Sequence, residues 1–151
     1  MSPEAQVHCR KLDVVTVKGS AVPMSIYTYD TLQTQTFPVL RTPKFSSLDL
    51  EEVLQTQADN YDATLWEHDE DLVQLRRLAT PEFRKIYQQG LECYLSGDWL
   101  KARNFLEEAN EMMKCSDTKN DGPSQTLLSY MESRDWKSPA DWEGYRPLTS
   151  K

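Results

Sequence analysis

The chain has 151 residues, enough for one modest domain, and carries 24 Asp and Glu against 17 Lys and Arg, a formal net charge of −7. With no basic face beyond short pairs such as Arg76-Arg77 and Arg84-Lys85, nucleic acid is excluded as the expected partner. No run approaches the roughly 20 apolar residues of a membrane span. Met1 to Lys18 lacks the apolar core of a signal peptide, and three cysteines at unrelated spacings (Cys9, Cys93, Cys115) make no disulfide framework. The expectation is a soluble intracellular protein without direct membrane insertion.

The first element in chain order is a β-hairpin. Arg10 to Val17 and Met24 to Tyr29 are rich in Val, Thr, Ile and Tyr, and Lys18-Gly19-Ser20 supplies the turn. No further run reads as a strand. A two-stranded hairpin is marginal alone, so either later helices cover it or its edge joins a sheet carried by another polypeptide. On the second reading Val15, Val17, Ile26, Tyr27 and Tyr29 are the partner-binding candidates of a unit spanning residues 1–30.

Residues 31–80 read as a linker with short acidic helices. Thr31 to Pro43 is polar, aperiodic and extended, and a helix is expected from Ser46, capped by Ser47, to before Asn60. Residues 49–71 hold nine acidic residues and no Lys or Arg, so all the excess negative charge lies there. That run is either a solvated connector or an acidic strap on a basic partner. A second short helix is expected from Glu67 to Ala79, burying Leu72, Leu75 and Leu78.

Residues 81–134 form a helical unit. Thr80 caps a helix with Pro81 in its first turn, and Phe83, Ile86, Tyr87, Leu91 and Tyr94 recur at helical spacing. Gly97 ends it and Asp98 caps the next, whose apolar face is Trp99, Ala102, Phe105, Leu106, Ala109 and Met113. With small residues at Gly90, Ala102 and Ala109, this helical hairpin resembles one tetratricopeptide-type repeat. A lone repeat leaves an apolar face uncovered. A third helix after Asp121-Gly122-Pro123-Ser124, carrying Leu127, Leu128, Tyr130 and Met131, is expected to cover it. In the tail, 135–151, Trp136, Trp142 and Tyr145 either fold back as core or serve as anchors for a partner. The fold class is therefore α+β: an N-terminal hairpin, an extended acidic linker and a helical hairpin with a capping helix.

Two stretches carry a family resemblance. Cys9 to Ser20 followed by Ile26-Tyr27-Thr28-Tyr29-Asp30 resembles the C-terminal end of a class III nucleotidyl cyclase domain. Gly90, Tyr94 to Trp99, Asp121 to Ser124 and Trp142 to Thr149 resemble the helical tail that follows that domain in protist adenylate cyclases. The resemblance implies paired catalytic domains with two aspartates on two metal ions, and all of those residues would precede this segment. It thus implies no catalytic residue here and no cofactor, with Mg and ATP entering only if the chain completes a cyclase core. Lys18 resembles a lysine that contacts substrate phosphates in the family, and a solvated lysine in a tight turn is its plain alternative. A ciliary or membrane-associated setting, through partners, is implied by the resemblance alone.

Other chemistry finds little support. In Asp117 to Gly122, Lys119 stands where a calcium loop needs an oxygen ligand and Leu128 where it needs Glu. His8 with Cys9, and His68 beside Asp69, lack a second pair at zinc spacing. Cys93 reads as a small core residue. The expected function is a non-catalytic, structural protein-interaction subunit of a larger assembly, derived from the C-terminal region of a class III nucleotidyl cyclase. The alternative is a C-terminal fragment or subunit of an active adenylate cyclase, making cAMP from ATP with a core on another chain.

Overall fold

Arg10–Val17 (β1) and Met24–Thr28 (β2) pair antiparallel in a computed structural model that describes residues 9–30, 65–114 and 120–148. Arg10 lies opposite Thr28, Asp13 opposite Ile26 and Val15 opposite Met24, with a bulge between Lys11 and Asp13. One extra residue on β1 shifts its alternation, so Arg10, Asp13 and Val15 all end on the same buried face. The connection is longer than the expected three-residue turn and runs from Lys18 to Pro23. Gly19 sits there at φ +90°, and the Ser20 N–H donates to the Val17 carbonyl at 3.0 Å.

A third strand follows after all. Arg146–Leu148 (β3) runs parallel to β1, matching Val15 with Arg146, Thr16 with Pro147 and Val17 with Leu148, in the sheet order β2-β1-β3. Three residues centred on a proline carry no strand signal of their own. Their conformation is imposed by where the rest of the tail docks.

The expected single helix over 67–79 is instead two short ones, Leu65–His68 (α1) and Glu70–Leu75 (α2). Asp69 divides them because its carboxylate accepts hydrogen bonds from the N–H groups of Asp71 and Leu72, capping α2. The segments expected as extended linker (31–43) and acidic helix (46–59) lie outside the described residues, as does Cys115.

Pro81–Leu95 (α3) and Trp99–Met112 (α4) have the expected caps, and Gly122–Glu132 (α5) starts within the expected turn, capped by Asp121. Thr80 Oγ1 accepts from the Phe83 N–H at 3.2 Å, Asp98 from Lys101 at 3.3 Å, and Asp121 from Ser124 at 2.9 Å. Helix α3 buries Phe83, Tyr87, Leu91 and Tyr94, and α4 buries Trp99, Ala102, Leu106 and Ala109. Gly90 marks their closest approach, since a Cβ there would lie 2.8 Å from Leu106 Cγ. Leu127 and Met131 of α5 complete the same core, against which Leu12 of β1 also packs. The architecture is mixed α+β, a three-stranded sheet against helices, with the hairpin at its N-terminal side.

Candidate partner interface

The hairpin is fastened to the helices by a buried cation. The Arg10 guanidinium donates to both oxygens of Asp121 at 2.9 and 2.8 Å and to Asp30 at 2.7 Å, and lies over the rings of Phe83 and Tyr87 at 4.8 and 4.3 Å. Burial by itself would lower its pKa, but the two carboxylates outweigh burial and raise it, so the charge is permanent. Asp121 serves three masters in one place: it pairs with Arg10, caps α5, and accepts the Ser124 hydroxyl at 2.6 Å. Its own N–H donates to Asn110 Oδ1. The Asp121 carboxylate is thus committed to structure.

The tail is fastened beside it. Arg146 donates to Asp13 at 3.0 and 2.9 Å, tying β3 to the bulged part of β1. Burial raises the Asp13 carboxyl above its ordinary range, and Arg146 only partly opposes this. Upstream, Trp142 packs against Tyr94 and Trp99 with ring centroids at 5.2 and 5.3 Å, and its indole N–H donates to the Leu95 carbonyl at 3.0 Å. Gly144 follows at φ +82°, where a Cβ would stand 3.0 Å from that same carbonyl oxygen. Trp142 and Gly144 therefore aim the last residues at β1.

These fastenings decide which candidate residues are available. Val15 is fully buried and cannot meet a partner. Tyr29 is half-buried and donates to the Leu72 carbonyl at 3.2 Å. Trp142 belongs to the aromatic core, and Trp136 is half-buried under the Arg103 guanidinium at 4.3 Å. Tyr145 is half-buried with its hydroxyl bonded to Glu143. Trp142 and Trp136 pack against the core, as the folded-back reading expects. Lys18 is exposed on the hairpin connection, next to a Gly19 with open space around it.

What stays open is the outer edge of β2, where no described strand lies. Its residues Met24 to Tyr27 are exposed, and they carry no charge. The helix-facing side of the sheet continues there as an apolar rim: Met24 and Ile26 share the face of Val15 and Asp13, and Val17 lies beside Leu148. All four are between 36 and 45 % exposed, so the helical layer stops short of covering them. A groove of about 340 Å³ lined by Leu12, Pro123, Leu127 and Arg146 adjoins Ile26, and one of about 370 Å³ lined by Lys11, Arg84, Leu91 and Leu95 adjoins Tyr27. Met24 and Leu148 were not among the expected interface residues. The strand pattern could have nominated Met24, whereas Leu148 had no signal without β3.

Among the described residues no group of three or more His, Cys, Asp or Glu could hold a metal ion, and no helix is long and apolar enough to cross a membrane. No family model, curated protein or solved structure matches the chain.

Proposed function

We propose that the chain is a non-catalytic, structural protein-interaction unit whose docking surface is the open edge of β2 with its apolar rim. The resemblance to the C-terminal region of class III nucleotidyl cyclases, tetratricopeptide-like helical hairpin included, supplies the origin of such a unit. The observation that carries the reading is the contrast between the two sides of the sheet. The chain's own tail ends one side with a three-residue strand centred on Pro147, whereas β2 presents five uncharged residues with no described strand beyond them. Backbone pairing there gives affinity, and the rim and flanking grooves give selectivity.

The second reading, a subunit that completes a cyclase core, rests on Lys18, which stands exposed on a glycine-bearing loop where it could reach a phosphate. The test is capture of partners by the tagged full chain from its native source at gentle salt, comparing wild type, Ile26→Lys and Lys18→Ala. A partner set retained by wild type and Lys18→Ala but lost by Ile26→Lys supports the interaction reading. Co-purifying nucleotide cyclisation that Lys18→Ala abolishes overturns it in favour of the second.

A further inference from the structure

We infer that residues 137–148 form a strap that undocks as one unit from an intact helical core, swinging on a hinge at Asp135-Trp136 and releasing the side of β1 that β3 occupies. The inference goes beyond the interaction reading and stands or falls separately, since it concerns β1 and not β2. What carries it first is where burial stops. The buried hydrophobic cluster runs from Ala79 to Met131, all of it on or beside the three long helices. From Glu132 to Leu148 every residue is half-buried or exposed. The core is therefore complete without the strap, and a segment with few buried apolar contacts is the kind that opens while the rest stays folded.

Two anchors do most of the holding. Trp142 lays its ring against Tyr94 and Trp99 and donates its indole N–H to the Leu95 carbonyl at 3.0 Å, and Arg146 reaches Asp13 at 2.9 Å. The ladder adds little: β3 has three residues, its middle one, Pro147, has no N–H to give, and Leu148 is 42 % exposed. Both anchors sit on one short run of chain, so release of either loosens the other.

The hinge is loaded against the docked state. Asp135 and Trp136 stand in succession at φ +52° and +60°, a left-handed conformation that a bulky side chain rarely adopts. They are held there because the Trp136 N–H donates to the Met131 carbonyl at 3.0 Å and the Trp136 ring lies under the Arg103 guanidinium at 4.3 Å. Undocking lets both residues return to ordinary backbone, so the strain that docking imposes favours opening. Lifting the strap frees the backbone groups of β1 at Val15 to Val17 and uncovers the faces of Tyr94 and Trp99 against which Trp142 packs. The strap is thus an intramolecular cover, and this side of β1 is closed for as long as it stays down.

The experiment is hydrogen exchange of the Trp142 and Trp99 indole N–H groups in the full chain, followed by nuclear magnetic resonance across low urea concentrations. Both groups donate to backbone carbonyls, but Trp99 is fully buried in the core, so its exchange reads global unfolding. The Trp142 group should exchange at least about tenfold faster, with a urea dependence that is measurable yet shallower than that of Trp99, because only part of the surface is exposed on opening. Ala109→Gly weakens α4 whether the strap is up or down, so it should speed exchange at Trp99 about fivefold and leave Trp142 unchanged. Arg146→Gln, at the far anchor, should speed exchange at Trp142; Gly144→Ala reads the same weakening if the Arg146 variant does not fold. Equal rates and urea slopes for the two groups in wild type, or an Ala109→Gly effect of the same size on both, would mean that the strap opens only with the whole domain and overturns the inference. So does a Trp142 rate indifferent to urea and to the folded strap variants, which reports a fluctuation of the indole alone.

Discussion

Replacing Arg10 by Met tests whether the hairpin is held by the buried ion cluster. The Arg10 side chain is 5 % exposed, and its partners Asp30 and Asp121 are 10 % and 3 % exposed. Methionine fills much of the same volume against Phe83 and Tyr87 but leaves two carboxylates inside without their cation. Breaking a buried pair on one side costs about 3–5 kcal/mol, out of a total stability of about 5–15 kcal/mol for a domain. At about 4 °C per kcal/mol for a domain of this size, the midpoint should fall by about 12–20 °C. Urea unfolding followed by the emission of buried Trp99 and half-buried Trp142 reads the change in the core, and far-ultraviolet dichroism reads the sheet. The double variant Arg10→Met with Asp121→Asn should recover part of the loss, because the deeper uncompensated charge is gone. A loss below about 1 kcal/mol for Arg10→Met, within the range of a surface pair, would refute the idea that this cluster fastens the sheet to the helices.

Three further outcomes follow from named contacts. Burial raises the Asp13 carboxyl, so the folded chain keeps that proton to higher pH than the unfolded chain. Its contribution favours folding most below the ordinary carboxylate value of about 3.9 and is lost as pH rises through the raised value; Asp13→Asn should flatten that part of the stability profile measured by urea titration against pH. Tyr94 is fully buried and its hydroxyl has no hydrogen-bond partner among the described residues. Tyr94→Phe should therefore be neutral or stabilising by up to about 1–2 kcal/mol in thermal unfolding, and a loss above about 1 kcal/mol would show that the hydroxyl is bonded. Gly144→Ala places a Cβ at φ +82° against the Leu95 carbonyl, and should cost about 1–2 kcal/mol. Hydrogen exchange should show β3 opening first, and unchanged protection at Val17 would contradict that order.

The helices were legible because their signals are local. Thr80 with Pro81, Asp98 after Gly97, and Asp121 before Gly122-Pro123 each name a start through side-chain bonds to residues two or three positions away. The apolar spacing on α3 and α4 names the buried face. The hairpin was legible for the same reason, through alternating β-branched and aromatic residues. The break at Asp69 was not legible, because a carboxylate inside a helical run can either ride on the surface or turn in to cap a new helix, and spacing does not distinguish the two.

The candidate interface was only half legible. Ile26, Tyr27 and Val17 stand where a strand reading puts them, exposed at the rim. Val15 does not, because the bulge between Lys11 and Asp13 and the helices together bury it. No local pattern reveals that Arg10 will meet an aspartate 111 positions away, or that Arg146 will reach back 133 positions to Asp13. Such pairs form only when hydrophobic packing has already brought the segments together, and the low dielectric they create then makes the pairing obligatory. Propensity and periodicity, acting within a few residues, chose the elements of this protein. The assembled core chose the third strand, turned the aromatic tail inward, and left β2 at the edge of the sheet with no described strand beyond it.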